Sequence, residues 1–170
     1  MGNFRVIRRL INLGPLILLY YLSISEIDSH FENYFEILSF NIQLIIIYFW
    51  SLKRPEVLGN GHIFFAGFLN DVVVGLPLGL SSMTYLITSL VATYVKNMTV
   101  NTRITTDWFT FFIAITLSNL LLLILLTNFS EITISFIDMS YNTFFTLIFF
   151  PFFWFLFVYY NSNIMSGKNV

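Results

Sequence analysis

Apolar runs recur along this chain with only short polar intervals between them, and that alternation leaves few folds open. The runs are Leu10 to Ile24, Phe35 to Leu52, His62 to Val74, Leu78 to Val95, Trp108 to Thr127 and Asn142 to Tyr160. A helix of about 20 apolar residues crosses the roughly 30 Å hydrocarbon core of a bilayer, and inside it every backbone amide must find its partner within the protein. The reading is an all-α integral membrane protein: one domain over residues 1–170, with about six transmembrane helices (10–24, 35–52, 62–74, 78–95, 108–127, 142–160) in a compact bundle. Composition agrees, since 57% of residues are hydrophobic and 10% charged, against roughly 25% charged in soluble domains. A net charge of −1 supplies no basic field to gather nucleic acid, so the expected surroundings are membrane lipids. The absence of Cys excludes disulfides and any cysteine-ligated metal centre.

Charge placement sets the expected topology, because short cytoplasmic loops retain Lys and Arg. With the N-terminus inside, Arg5, Arg8, Arg9, Lys53, Arg54, Lys96, Arg103 and Lys168 all fall on the cytoplasmic side. The opposite loops carry Glu26, Asp28, Glu32, Glu36, Glu131 and Asp138 and no basic residue. A five-span chain would push Lys96, Arg103 and Lys168 outside, so the charges favour six spans with both termini cytoplasmic. The first run reads as a retained helix rather than a cleaved signal. Lipidation is discarded, because Val6 stands where a myristoylation pattern requires Ser or Thr. Tyr20, Tyr21, Tyr48, Trp50, Tyr94, Trp108, Tyr141, Tyr159 and Tyr160 fall near the predicted membrane surfaces, where amphipathic rings act as anchors.

The unusual residues concentrate between Trp50 and Tyr85. Pro55 after Lys53-Arg54 ends the second run, and Gly59 and Gly61 loosen the re-entry. Gly67, Asp71 and Gly75 recur every four residues, which places them on one helix face able to approach another helix closely. A charged Asp at the bilayer centre costs about 2.5–3.5 kcal/mol, so Asp71 must face protein or water. Two readings stand for it: a ligand, proton or partner contact, or a packed residue whose carboxylate accepts from amides exposed at a helix break. Asn70 reads as an interhelical hydrogen-bonder. Gly75-Leu76-Pro77-Leu78-Gly79 breaks the helix, either as a tight turn or as the broken-helix lining of a binding site.

Catalytic chemistry is thin. His30 and His62 lie far apart in the topology, and the His30, Asp28 and Glu32 group falls short of a zinc site. No nucleophile elbow, catalytic triad or phosphate-binding loop is present, so neither an enzyme nor a cofactor site is expected. Sequons at Asn97 and Asn128 read as incidental.

The central segment resembles the MreD family of rod shape-determining proteins. The resemblance rests on Phe49-Trp50, Arg54-Pro55, Gly67-Phe68-Leu69-Asn70-Asp71, Gly75-Leu76-Pro77-Leu78-Gly79 and Tyr85, in that order. It implies a non-catalytic scaffold of the bacterial cell-elongation machinery that binds MreC. Through MreC it would help link MreB filaments to RodA and a class B penicillin-binding protein during peptidoglycan synthesis. It also implies a fold similar to the substrate-binding components of energy-coupling-factor transporters, and such a vitamin-transporter component is the alternative function. Against that alternative, residues 13–22 read LGPLILLYYL, too bulky for the small-residue docking pattern of those components.

Overall fold

The computed structural model describes residues 13–25, 41–99, 103–129 and 136–165, and every regular element among them is helical. Arg5, Arg8, Arg9, Glu26, Asp28, His30, Glu32, Glu36, Glu131 and Lys168 lie outside the described residues, as do the opening residues of the expected spans 10–24 and 35–52. The helices are α1 (Gly14–Ile24), α2 (Ile42–Lys53), α3 (Asn60–Val74), α4 (Leu80–Met98), α5 (Ile104–Phe129) and α6 (Phe136–Tyr159), with a π-helical extension at Tyr160–Met165. One helix lies in each of the six apolar runs.

Local chemistry explains the ends. Pro15 sits in the first turn of α1, where a missing amide costs no intrahelical bond. The Asn41 side chain caps α2 by accepting from the Leu44 amide at 3.2 Å. Pro55 follows the last bond of that helix, Arg54 N–H to the Trp50 carbonyl.

Helix α2 is the axis of the bundle, packing against α1, α4, α5 and α6. Every residue from Leu44 to Leu52 is buried, so no side of it meets the surroundings. Tyr48 and Trp50 therefore depart from the expected role of interfacial anchors and belong to the core. The Tyr48 ring meets Phe111 and Phe150 edge-on, and those two rings stack at 4.4 Å. Trp50 packs against Phe157 and Tyr160. Such edge-on and stacked pairs each add about 0.5–1.5 kcal/mol beyond simple burial.

The six helices are not alike. Residues Ile104–Asn128 and Phe136–Ser162 are long and apolar enough to cross a membrane by length and composition, whereas α1 and α2 are shorter apolar helices. Helix α3 has 15 residues, about 22 Å at 1.5 Å per residue. Helix α4 is longer but carries a stripe of Ser and Thr. Only 28% and 17% of the apolar windows of α5 and α6 are buried within the chain. Phe109, Phe112, Leu117, Phe144, Phe152 and Phe155 face outward, an apolar exterior suited to lipid.

Candidate functional site

The motif residues converge on the α3–α4 hairpin. Asp71 lies in the last turn of α3 and is fully buried. Its Oδ2 accepts the Gly79 amide at 2.7 Å and its Oδ1 the Ser81 amide at 2.9 Å. The carboxylate thus closes two of the open donors at the start of α4, where the helix dipole also favours negative charge. Its backbone carbonyl accepts from Gly75 and Leu76 at 2.9 and 3.0 Å, closing the end of α3 as well. One residue therefore terminates one helix and initiates the next. Each hydrogen bond to a charged group contributes about 1.5–3 kcal/mol.

The turn itself needs glycine. Gly75 has φ of +76° and Gly79 of +101°, conformations that side chains on L-residues resist. A Cβ on Gly75 would meet nothing within 4 Å, so its glycine serves the turn and not the close approach expected from the shared face with Gly67. Helix α3 ends at Val74, and the four-residue periodicity ends with it. Pro77 lies half-buried between the two glycines, its carbonyl accepting from Leu80 at 3.3 Å.

Gly67 is the point of contact. A Cβ there would lie 2.5 Å from both the Cα and the N of Ser82, and 2.8 Å from the Ser81 carbonyl carbon. Around it, Asn70 Nδ2 donates to Ser81 Oγ at 3.0 Å and Ser82 Oγ donates to the Phe64 carbonyl at 2.9 Å. The polar seam continues along α4. Ser89 meets Ser51 of α2 at 3.0 Å, and Thr88 meets Ser118 of α5 at 2.7 Å. Small residues and interhelical hydrogen bonds of this kind hold helices together where lipid removes any hydrophobic preference. Sequence reading passed over this seam, although Ser81, Thr84, Tyr85, Thr88, Ser89 and Ala92 recur at helical spacing and are all buried.

Of the other motif residues, Trp50, Arg54 and Pro55 lie on or just after α2, and Tyr85 lies on α4. Trp50 and Tyr85 are core residues, Arg54 ends α2, and Pro55 lies half-buried in the turn that follows. Beside Arg54, Lys53 forms an ion pair at 3.0 Å with Asp107, a fully buried carboxylate in the first turn of α5. Trp154 Nε1 of α6 donates to the same Asp107 Oδ2 at 2.9 Å. Asp107 escaped the sequence reading; its only signal was an acid at the polar edge of an apolar run, on the side carrying Lys53 and Arg54.

This arrangement builds rigidity. Both Asp71 oxygens are taken by backbone amides, and among the described residues no group of three His, Cys, Asp or Glu could hold a metal ion. A family model described as rod shape-determining protein MreD matches residues 8–161. No curated protein and no solved structure matches the chain.

Proposed function

The chain belongs to the rod shape-determining protein MreD family, and from that premise we propose that it is a non-catalytic scaffold subunit of the bacterial cell-elongation complex. It binds MreC in the inner membrane and helps couple MreB filaments to peptidoglycan synthesis by RodA and a class B penicillin-binding protein. The observation that carries the reading is a family match spanning residues 8–161 of the chain. The hairpin supports it, because its motif residues serve turns and helix contacts and leave no free reactive group at Asp71. The outward apolar faces of α5 and α6 offer area for partner transmembrane helices. The six-span topology with both termini cytoplasmic belongs to the same proposal and rests on the distribution of basic residues. The vitamin-transporter alternative draws no support from a family defined by rod shape.

The test is depletion in the native rod-shaped host together with gentle purification of the tagged protein. Rounded cells, and enrichment of MreC, RodA and the class B penicillin-binding protein, are the expected results. Retained rod shape, or co-purification of paired ATPases with a transporter coupling subunit, overturns the proposal. Topology is checked by cysteine labelling, which the absence of native Cys makes clean. A cysteine at position 129 reacts from outside the cytoplasm, and reaction from the cytoplasm alone overturns six spans.

A further inference from the structure

Pro151 lies inside α6. Having no amide hydrogen, it leaves the Leu147 carbonyl without the usual intrahelical donor and weakens the helix at that turn. Trp108 of α5 fills the place, donating its indole N–H to the Leu147 carbonyl at 3.0 Å. The neighbouring α5 residue, Asp107, holds the other side of the break by accepting from Trp154 at 2.9 Å. Two adjacent residues of one helix thus grip a second helix before and after its proline. Asp107 also anchors Lys53 at the end of α2. The remaining oxygen, Asp107 Oδ1, is buried and has no hydrogen-bond partner among the described residues.

We propose that Lys53, Asp107 and Trp154 form a latch, and Pro151 a hinge, so that the C-terminal half of α6 opens and closes against α2 independently of its N-terminal half. The closed state is the one described: Phe157 lies against Phe49 and Trp50, and the ion pair holds Trp154. Opening pivots at Pro151, exposes the Trp50 face of α2 and redirects the outward apolar side of α6. The N-terminal half stays fixed through the Phe111–Phe150 stack and the bond from the Asn41 amide to Thr146 Oγ1. Nothing in this device depends on the identity of the partners.

Single cysteines at Val158, half-buried on the moving half, and at Met139, half-buried on the fixed half, report the motion by maleimide labelling in native membranes. Asp107→Leu removes the acceptor, and labelling at 158 is expected to rise at least five-fold while 139 stays unchanged. Trp154→Phe keeps an aromatic ring but loses the indole N–H and part of the side-chain volume, and gives the same pattern at about two- to three-fold. Adding Pro151→Ala to Asp107→Leu restores the helix through the hinge and suppresses the rise at 158. The double variant Lys53→Met/Asp107→Leu removes the ion pair and the Trp154 acceptor together while placing apolar groups in the site, an exchange that buried ion pairs tolerate. Labelling at 158 is therefore expected to stay raised as in Asp107→Leu, and a return to the wild-type level overturns the proposal. Equal rises at 139 and 158 indicate general loosening and overturn the proposal. So does an unchanged 158 in Asp107→Leu, or a rise that persists with Pro151→Ala.

Discussion

Replacing Gly67 with Ala sets two effects of opposite sign against each other. Within a helix, Ala is favoured over Gly by about 1 kcal/mol, so α3 taken alone predicts stabilisation. The neighbouring helix predicts the reverse. The new Cβ would lie 2.5 Å from the Ser82 backbone, and reaching ordinary contact near 3.4 Å requires α3 and α4 to part by about 0.9 Å there. That shift lengthens the Asn70–Ser81 and Ser82–Phe64 bonds, now 3.0 and 2.9 Å, beyond hydrogen-bonding range. Overpacking costs about 1–3 kcal/mol, and two interhelical bonds contribute about 0.6 kcal/mol each in membranes. The net expectation is destabilisation of about 1–3 kcal/mol, or a fall in Tm of about 2–12 °C for a chain of this size. The assay is thermal unfolding of the purified protein in mild detergent, with Gly61→Ala as control because nothing lies within 4 Å of its added Cβ. An unchanged or raised Tm in Gly67→Ala refutes the reasoning. Rescue by Ser82→Gly refutes it too, since the obstructing atoms are backbone and remain after the side chain is removed.

Asp71→Asn leaves one acceptor oxygen for two amides and turns an NH2 group toward a donor, so stability is expected to fall by about 2–3 kcal/mol. Proteolytic sensitivity of the 75–79 turn should rise with it, and wild-type behaviour in both measurements contradicts the capping role. Gly75→Ala is expected to cost about 1–2 kcal/mol from its positive φ alone, with Gly75→Asn milder; equal Tm values for the two replacements would count against a conformational cause. Trp50→Ala, in the centre of the bundle, should cost about 3–5 kcal/mol and reduce the amount of folded protein, whereas an interfacial anchor would be nearly neutral in the same unfolding assay.

Much of the hairpin was legible because its residues have few other uses. A Gly-Leu-Pro-Leu-Gly run in an apolar chain marks a helix break on backbone grounds. A carboxylate four residues ahead of it, with nothing charged nearby, points to exposed amides as partners. Gly75 was harder to place, since the four-residue period from Gly67 through Asp71 extends to it numerically while the helix stops one residue short. Asp107 was illegible for a different reason. Its partners, Lys53 and Trp154, lie 54 and 47 positions away in the chain, and no local pattern reports a contact across three helices.

The sequence by itself determined the helical, apolar segments and the break at Gly75–Gly79, while the capping role of Asp71, one of two readings open to it, was decided by the structure. The segments and the break follow from rules that act within a few residues: backbone bonding in an apolar medium, the absent amide of proline and the missing Cβ of glycine. Only the tertiary structure decided which apolar faces turn inward, placing Tyr48 and Trp50 at the centre while Phe112 and Phe155 stay outside. Lipid is as apolar as the side chains themselves, so hydrophobicity carries no signal for inside against outside. The choice falls to shape, ring contacts and a few hydrogen bonds between residues distant in the chain.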